Sequence, residues 1–133
     1  MPESNARLPL LLSILELGGY PDFSGLYRSL GFQVEMMQTL RKALKFIKKN
    51  RVDVVVAEFN FQSDFRDRTS QLESLMASIA HNPEVKVIVF YDREQSHQFE
   101  RVTSRFDFYA TLSYPIDEQA LEKQLTAIQT WRP

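Results

Sequence analysis

Short apolar runs, each followed by a segment of helical periodicity, predict an α/β domain: a doubly wound sheet of five parallel strands, (βα)5, with helices on both faces. Three observations carry that prediction. The run Val52-Asp53-Val54-Val55-Val56-Ala57-Glu58 is nearly continuous in apolar residues, as in a strand covered on both sides. Val85-Lys86-Val87-Ile88-Val89-Phe90 is a second such run. Strand-like and helix-like segments alternate along the whole chain, and right-handed crossovers then place helices on both faces of the sheet.

The elements follow in order. Residues 10–17 read as the first strand. The apolar stretch Leu8-Pro9-Leu10-Leu11-Leu12-Ser13-Ile14-Leu15 is too short to cross a membrane. It lacks the small-residue cleavage site of a secretory leader, and a buried strand explains it more simply. Gly18-Gly19-Tyr20-Pro21-Asp22 breaks it. A short helix over about 22–30 follows, capped by Asp22, with Leu26, Tyr27 and Leu30 on one face and Gly31 as its stop. Phe32 to Met36 alternates and reads as the second strand. Thr39 is the N-cap of a helix from Leu40 to Lys49. Leu40, Ala43, Leu44 and Ile47 form its apolar stripe, and Arg41, Lys42, Lys45, Lys48 and Lys49 its solvated face.

The third strand covers 52–58, followed by a polar, aromatic-containing stretch from Phe59 to Thr69. A helix from about Ser70 to His81 points Leu72, Leu75, Met76 and Ile79 inward and ends at Asn82-Pro83. The fourth strand is 85–90, and a polar helix spans 93–105. The fifth strand is 108–112, with Tyr114-Pro115 beyond it. Asp117 caps the last helix, from Glu118 to about Thr130, whose core face is Leu121, Leu125 and Ile128.

The 133 residues suit one domain, and no linker or repeat divides them. Trp131-Arg132-Pro133 fits a true end and fits equally the edge of one domain in a larger protein. A hydrophobic share of 44%, with 10 Phe, is enough for a sizeable core. The formal charge of -1 gives no global reason to expect nucleic-acid binding. With no cysteine, disulfide scaffolds, Cys-zinc sites and Cys catalysis are excluded, and a reducing, cytoplasmic setting is expected.

In open α/β sheets ligands bind beyond the C-terminal ends of the strands. Glu58, the one acid ending the third strand, is therefore the first candidate site residue. Leu30-Gly31-Phe32-Gln33-Val34, Ala43-Leu44, the 52–58 run, Val87-Ile88-Val89 and Ser113-Tyr114-Pro115-Ile116 together resemble the receiver domain of two-component response regulators. The resemblance covers nearly the whole chain. It implies a flavodoxin-like three-layer sandwich with strand order 2-1-3-4-5 and a role in signal transduction, with phosphorelay as the family's chemistry.

The same resemblance implies a degenerate site. Glu58 matches the phosphoacceptor aspartate, and the Mg²⁺-holding acidic pair maps near Leu15-Glu16. The hydroxyl residue ending strand four maps to Phe90 or Tyr91, with Tyr91 preferred, and the next position is Asp92. The lysine before the proline becomes Tyr114, and the switch aromatic falls on Thr111, two residues after Tyr109. Mg²⁺ needs tightly placed oxygen ligands, a phosphoryl group needs a cation, and Tyr114 supplies none. Losing several different charge-stabilising groups removes most of the machinery. The expectation is a pseudo-receiver: no enzyme, no cofactor, no metal, with Glu16 and Glu58 as weak metal candidates. Glu58 then reads either as a fixed mimic of the phosphorylated state or as drift at a solvent-exposed strand end.

Other signals are weaker. His81 and His97 belong to no ligand pattern, the serines lack a nucleophile-elbow context, and Gly18-Gly19 lacks the spacing of a phosphate loop. The cations from Arg41 to Arg51 read first as a solvated face. Phe59, Phe61 and Phe65 cover the site, pack on the sheet rim or present a binding patch. Phe99, Val102, Phe106, Phe108 and Tyr109 lie on the partner surface that the resemblance implies, so a protein partner or homodimer is expected, with no direct nucleic-acid contact and no membrane. Two alternatives stay open: a divergent receiver still binding a metal or phosphoryl group, and a small α/β enzyme using Glu16, Glu58 and Asp92 for acid–base work.

Overall fold

A computed structural model describes residues 8–14, 22–59, 71–80, 82 and 84–131. The elements are β1 (Leu10–Ile14), α1 (Ser24–Ser29), β2 (Gln33–Met37), α2 (Leu40–Lys49), β3 (Val54–Glu58), α3 (Gln71–Ser78), β4 (Lys86–Asp92), α4 (Ser96–Thr103), β5 (Ala110–Tyr114) and α5 (Glu118–Trp131). All strand pairs are parallel, in the order β2-β1-β3-β4-β5. The doubly wound sheet is therefore as the sequence predicts.

Local chemistry accounts for the boundaries. The Thr39 hydroxyl accepts the Lys42 N–H at 3.1 Å, satisfying one of the orphan donors at the start of α2. The Asp117 carboxylate accepts the Gln119 N–H at 3.0 Å at the start of α5. Gly31 ends the α1 turn with φ of 96°, in the left-handed region where a side chain is strained. Asp22 acts on α1 from one residue further out than a cap, accepting the Ser24 N–H at 2.9 Å and the Ser24 hydroxyl, while Phe23 occupies the cap position.

Strand four extends two residues past the expected end, because Tyr91 and Asp92 still pair with Ser113 and Tyr114. Strand five starts two residues late. Phe108 turns into the core instead of joining the ladder, and Tyr109 donates a single backbone hydrogen bond to the Val87 carbonyl at 2.8 Å. The polar helix expected over 93–105 is a 3-10 turn, Arg93–Gln95, followed by the shorter α4.

The pleat divides the strand side chains between two cores. Leu10, Leu12 and Ile14 of β1, Val55 and Ala57 of β3, and Val87 and Val89 of β4 face α2, α3 and α4, meeting Ala43, Ile47, Leu72, Leu75, Phe99 and Val102. Leu11, Val54, Val56, Ile88 and Phe90 face the opposite way, against Tyr27 of α1 and Leu121, Leu125 and Ile128 of α5. This arrangement corrects the expected interaction surface. Phe99 and Val102 are buried in the first core, and Phe106 and Phe108 pack against it. Of that set Tyr109 is exposed, at 38%, while Phe106 and Phe108 are half-buried.

Candidate functional site

The candidate site is the rim at the C-terminal ends of β1, β3, β4 and β5. Glu58 closes β3 and is buried, with only 8% of its surface exposed. Strand alternation puts it on the same face as Val54 and Val56, the side covered by α1 and α5. It is thus no solvent-exposed acid at a strand end, as one of the sequence readings had it.

The β3–β4 register pairs Glu58 with Phe90, and the Phe59 N–H donates to the Phe90 carbonyl at 2.8 Å. Phe90 belongs to the same core face and is 1% exposed. Phe23, just before α1, meets it edge-on at 6.0 Å between centroids. Tyr91, the preferred match from sequence, lies across the sheet. Its ring stacks on Phe99 at 4.5 Å and 27°, and it packs with the α2–α4 core. The residue level with Glu58 on its own side is therefore Phe90. The two positions differ by one residue, and in a strand that difference selects the face.

Asp92 does not reach inward from the strand end either. Its carboxylate accepts the Glu94 N–H at 2.9 Å and caps the 3-10 turn. Tyr114, which ends β5 next to a cis peptide bond with Pro115, is 46% exposed. It alternates in phase with Ala110 and Leu112, which puts it on the Glu58 side of the sheet. Thr111 is exposed on the edge strand.

The polar groups near the rim are on α1 and β1. Ser13 and Ser24 are both buried. The Ser24 hydroxyl and N–H together hold the Asp22 carboxyl below its ordinary range. Burial pushes the Tyr27 hydroxyl well above its ordinary value, and the nearby Asp22 charge adds to the effect. Both shifts reinforce the states these groups already hold at neutral pH, Asp22 charged and Tyr27 neutral.

Glu16, Phe61, Phe65, His81 and Gly18-Gly19 lie outside the described residues. Among the described residues, no group of three or more His, Asp or Glu side chains gathers where a metal could be held. A Mg²⁺ ion takes oxygen ligands in octahedral geometry. Among the described residues Phe90 is level with Glu58, and Asp92 is turned to its cap. Sequence reasoning missed Phe23 and Ser24 as neighbours of the rim. The signal for Ser24 was its place two residues after Asp22, the spacing of a side-chain-to-backbone turn.

No family model matches the sequence, and no curated protein matches it. Solved structures do. The chain is similar to a response regulator receiver domain protein from Clostridium thermocellum, with 17% identity and a TM-score of 0.71, covering 92% of this chain and 95% of that one. It is similar to a response regulator receiver protein from Burkholderia phymatum, at 14% identity and TM-score 0.71, over 92% and 95% of the two chains. A receiver protein from Sinorhizobium medicae gives 17% identity and TM-score 0.69 over 95% and 97%. The domain has the receiver fold.

Proposed function

We propose that this receiver-fold domain acts in signal transduction through contact with a protein partner or a second copy of itself, without a phosphoryl cycle of its own. The observation that carries the reading is Phe90. An apolar ring, 1% exposed and held edge-on by Phe23, stands level with the acid that matches the phosphoacceptor. An incoming phosphoryl group has several oxygens to satisfy, and an apolar wall satisfies none. Tyr114 at the end of β5 brings a hydroxyl where the family brings a cation, so the charge of a phosphoryl group would go unbalanced. The burial of Glu58 also weakens the mimic reading, which needs the carboxylate to push outward. Among the described residues no helix is long and apolar enough to cross a membrane.

Intact-mass measurement after incubation with acetyl phosphate and Mg²⁺ tests this, with an active receiver run in parallel. The expected result is an unchanged mass. A phosphorylated species that disappears in Glu58→Gln would overturn the reading and restore the divergent-receiver alternative.

A further inference from the structure

With the α4–β5 residues largely interior, a different surface stands out. α2 presents Arg41, Lys42, Lys45, Lys48 and Lys49, all exposed, and Arg51 follows. At about 100° per residue the five helical cations fall within an arc of about 120°, opposite the buried Ala43 and Ile47. The helix contains no acid, and among the described residues none pairs with these five.

Stability does not explain the stripe. Arg41 and Lys45, and Lys45 and Lys49, are four residues apart, and Lys42 and Lys48 each lie three from Lys45, so like charges face one another along its length. Arg41 and Lys42 also sit in the first turn, at the positive end of the helix dipole. Only Lys48 and Lys49, in the last turn, suit that dipole. A local arrangement that breaks helix rules without a compensating contact points to use.

The charge elsewhere sets the size of what docks. The chain carries a formal -1 although the six cations of 41–51 contribute +6, so the other residues carry −7. Asp53 and Glu84 stand 3.7 and 3.8 Å from Arg51 and close the stripe at that end. A long polyanion or a lipid plane laid along α2 would run past its length, about 15 Å, onto Asp53 and Glu84 at its C-terminal end. A short acidic segment would not. About ten helical residues, or four to five extended ones, match that length.

We infer that α2 is the docking surface for a short acidic segment of a protein partner. The inference rests on reading the domain as a protein-contact module and names the chemistry of the partner. Fluorescence anisotropy with a labelled peptide of about ten residues, roughly six of them Glu, tests it at about 50 mM salt. The wild-type domain binds saturably, and binding weakens as salt rises. Lys42→Glu/Lys45→Glu/Lys49→Glu loses roughly tenfold or more in affinity. Lys123→Glu, on the exposed side of α5, leaves it unchanged.

Circular dichroism confirms that the triple variant is folded. Should it not be, Lys45→Gln alone gives a smaller loss in the same direction. Equal affinity of the folded variants, or no binding by the wild type, overturns the proposal. Tighter binding to a single-stranded DNA oligonucleotide or to phosphatidylserine vesicles than to the peptide overturns it in favour of that class. A phosphorylated species in the mass measurement would sink the functional reading without moving this titration. A failed titration with unchanged mass would sink the docking surface alone.

Discussion

The two faces of the sheet are built differently. On the α2–α4 side, Phe59, Tyr91 and Phe108 gather around Phe99 at ring separations of 5.0, 4.5 and 6.1 Å. On the α1–α5 side lie the three buried polar or charged side chains of the described residues, Ser13, Ser24 and Glu58. Both faces are lined by the same three central strands, so the difference is one of parity along each strand. Both phases of the pleat carry aromatic rings, but the ring cluster around Phe99 is on one and the buried polar groups are on the other. A site at the strand ends is thus one-sided, and residues adjacent in sequence to a site residue can be irrelevant to it.

Removing the aromatic anchor is the strongest way to break this comparison. Phe99→Ala deletes the ring on which Phe59, Tyr91 and Phe108 converge, and the expected loss is about 3–5 kcal/mol in urea unfolding with an unchanged m value. A loss below about 1 kcal/mol would mean that the dry face does not dominate stability.

The opposite face is tested by pH. Folded Tyr27 keeps its proton because burial disfavours the phenolate, whereas the unfolded chain releases it near the ordinary value of about 10. The stabilisation is fully present below that pH and falls as pH rises above it, by up to about 1.4 kcal/mol per unit. Unfolding midpoints at alkaline pH should show the decline in wild type and lose this component in Tyr27→Phe. A smaller effect sharpens the picture: Ser24→Ala removes the hydroxyl from Asp22 and should cost about 1 kcal/mol or less. The Asp22 titration, followed by NMR, should move back up toward the ordinary carboxylate range. Asp22 contributes stability above its unfolded value, lost as pH falls through its lowered folded value, so Ser24→Ala should also flatten stability at acid pH.

Much of the fold was legible because it is written in period and caps. Thr39, Gly31 and Asp117 mark helix ends by chemistry that needs no tertiary knowledge, and the observed α2 matches its expected span residue for residue. The valine-rich β3 could only be a strand covered on both sides. What was not legible depends on register and on neighbours. The sequence offered Tyr91 ahead of Phe90, and only pairing with Glu58 puts Phe90 on its side. α4 reads as polar because its exposed side is polar, yet Phe99 and Val102 are its inward face, and their burial removed the expected contact surface. Tyr91 and Asp92 extend β4 through pairing with β5, which hydropathy does not record.

Asp53 gives the rim an unexpected dependence on the far end of the sheet. Its carboxylate accepts the Leu10 N–H at 2.8 Å, its own N–H donates to the Leu10 carbonyl at 2.9 Å, and its carbonyl accepts the Lys86 N–H at 3.0 Å. One residue thereby sets the starting mark of β1, β3 and β4 against one another. In a parallel sheet a slip of one position inverts which face every later side chain occupies. Whether Glu58 looks at Phe90 or at Tyr91 is decided five residues upstream, where no ligand would ever be sought.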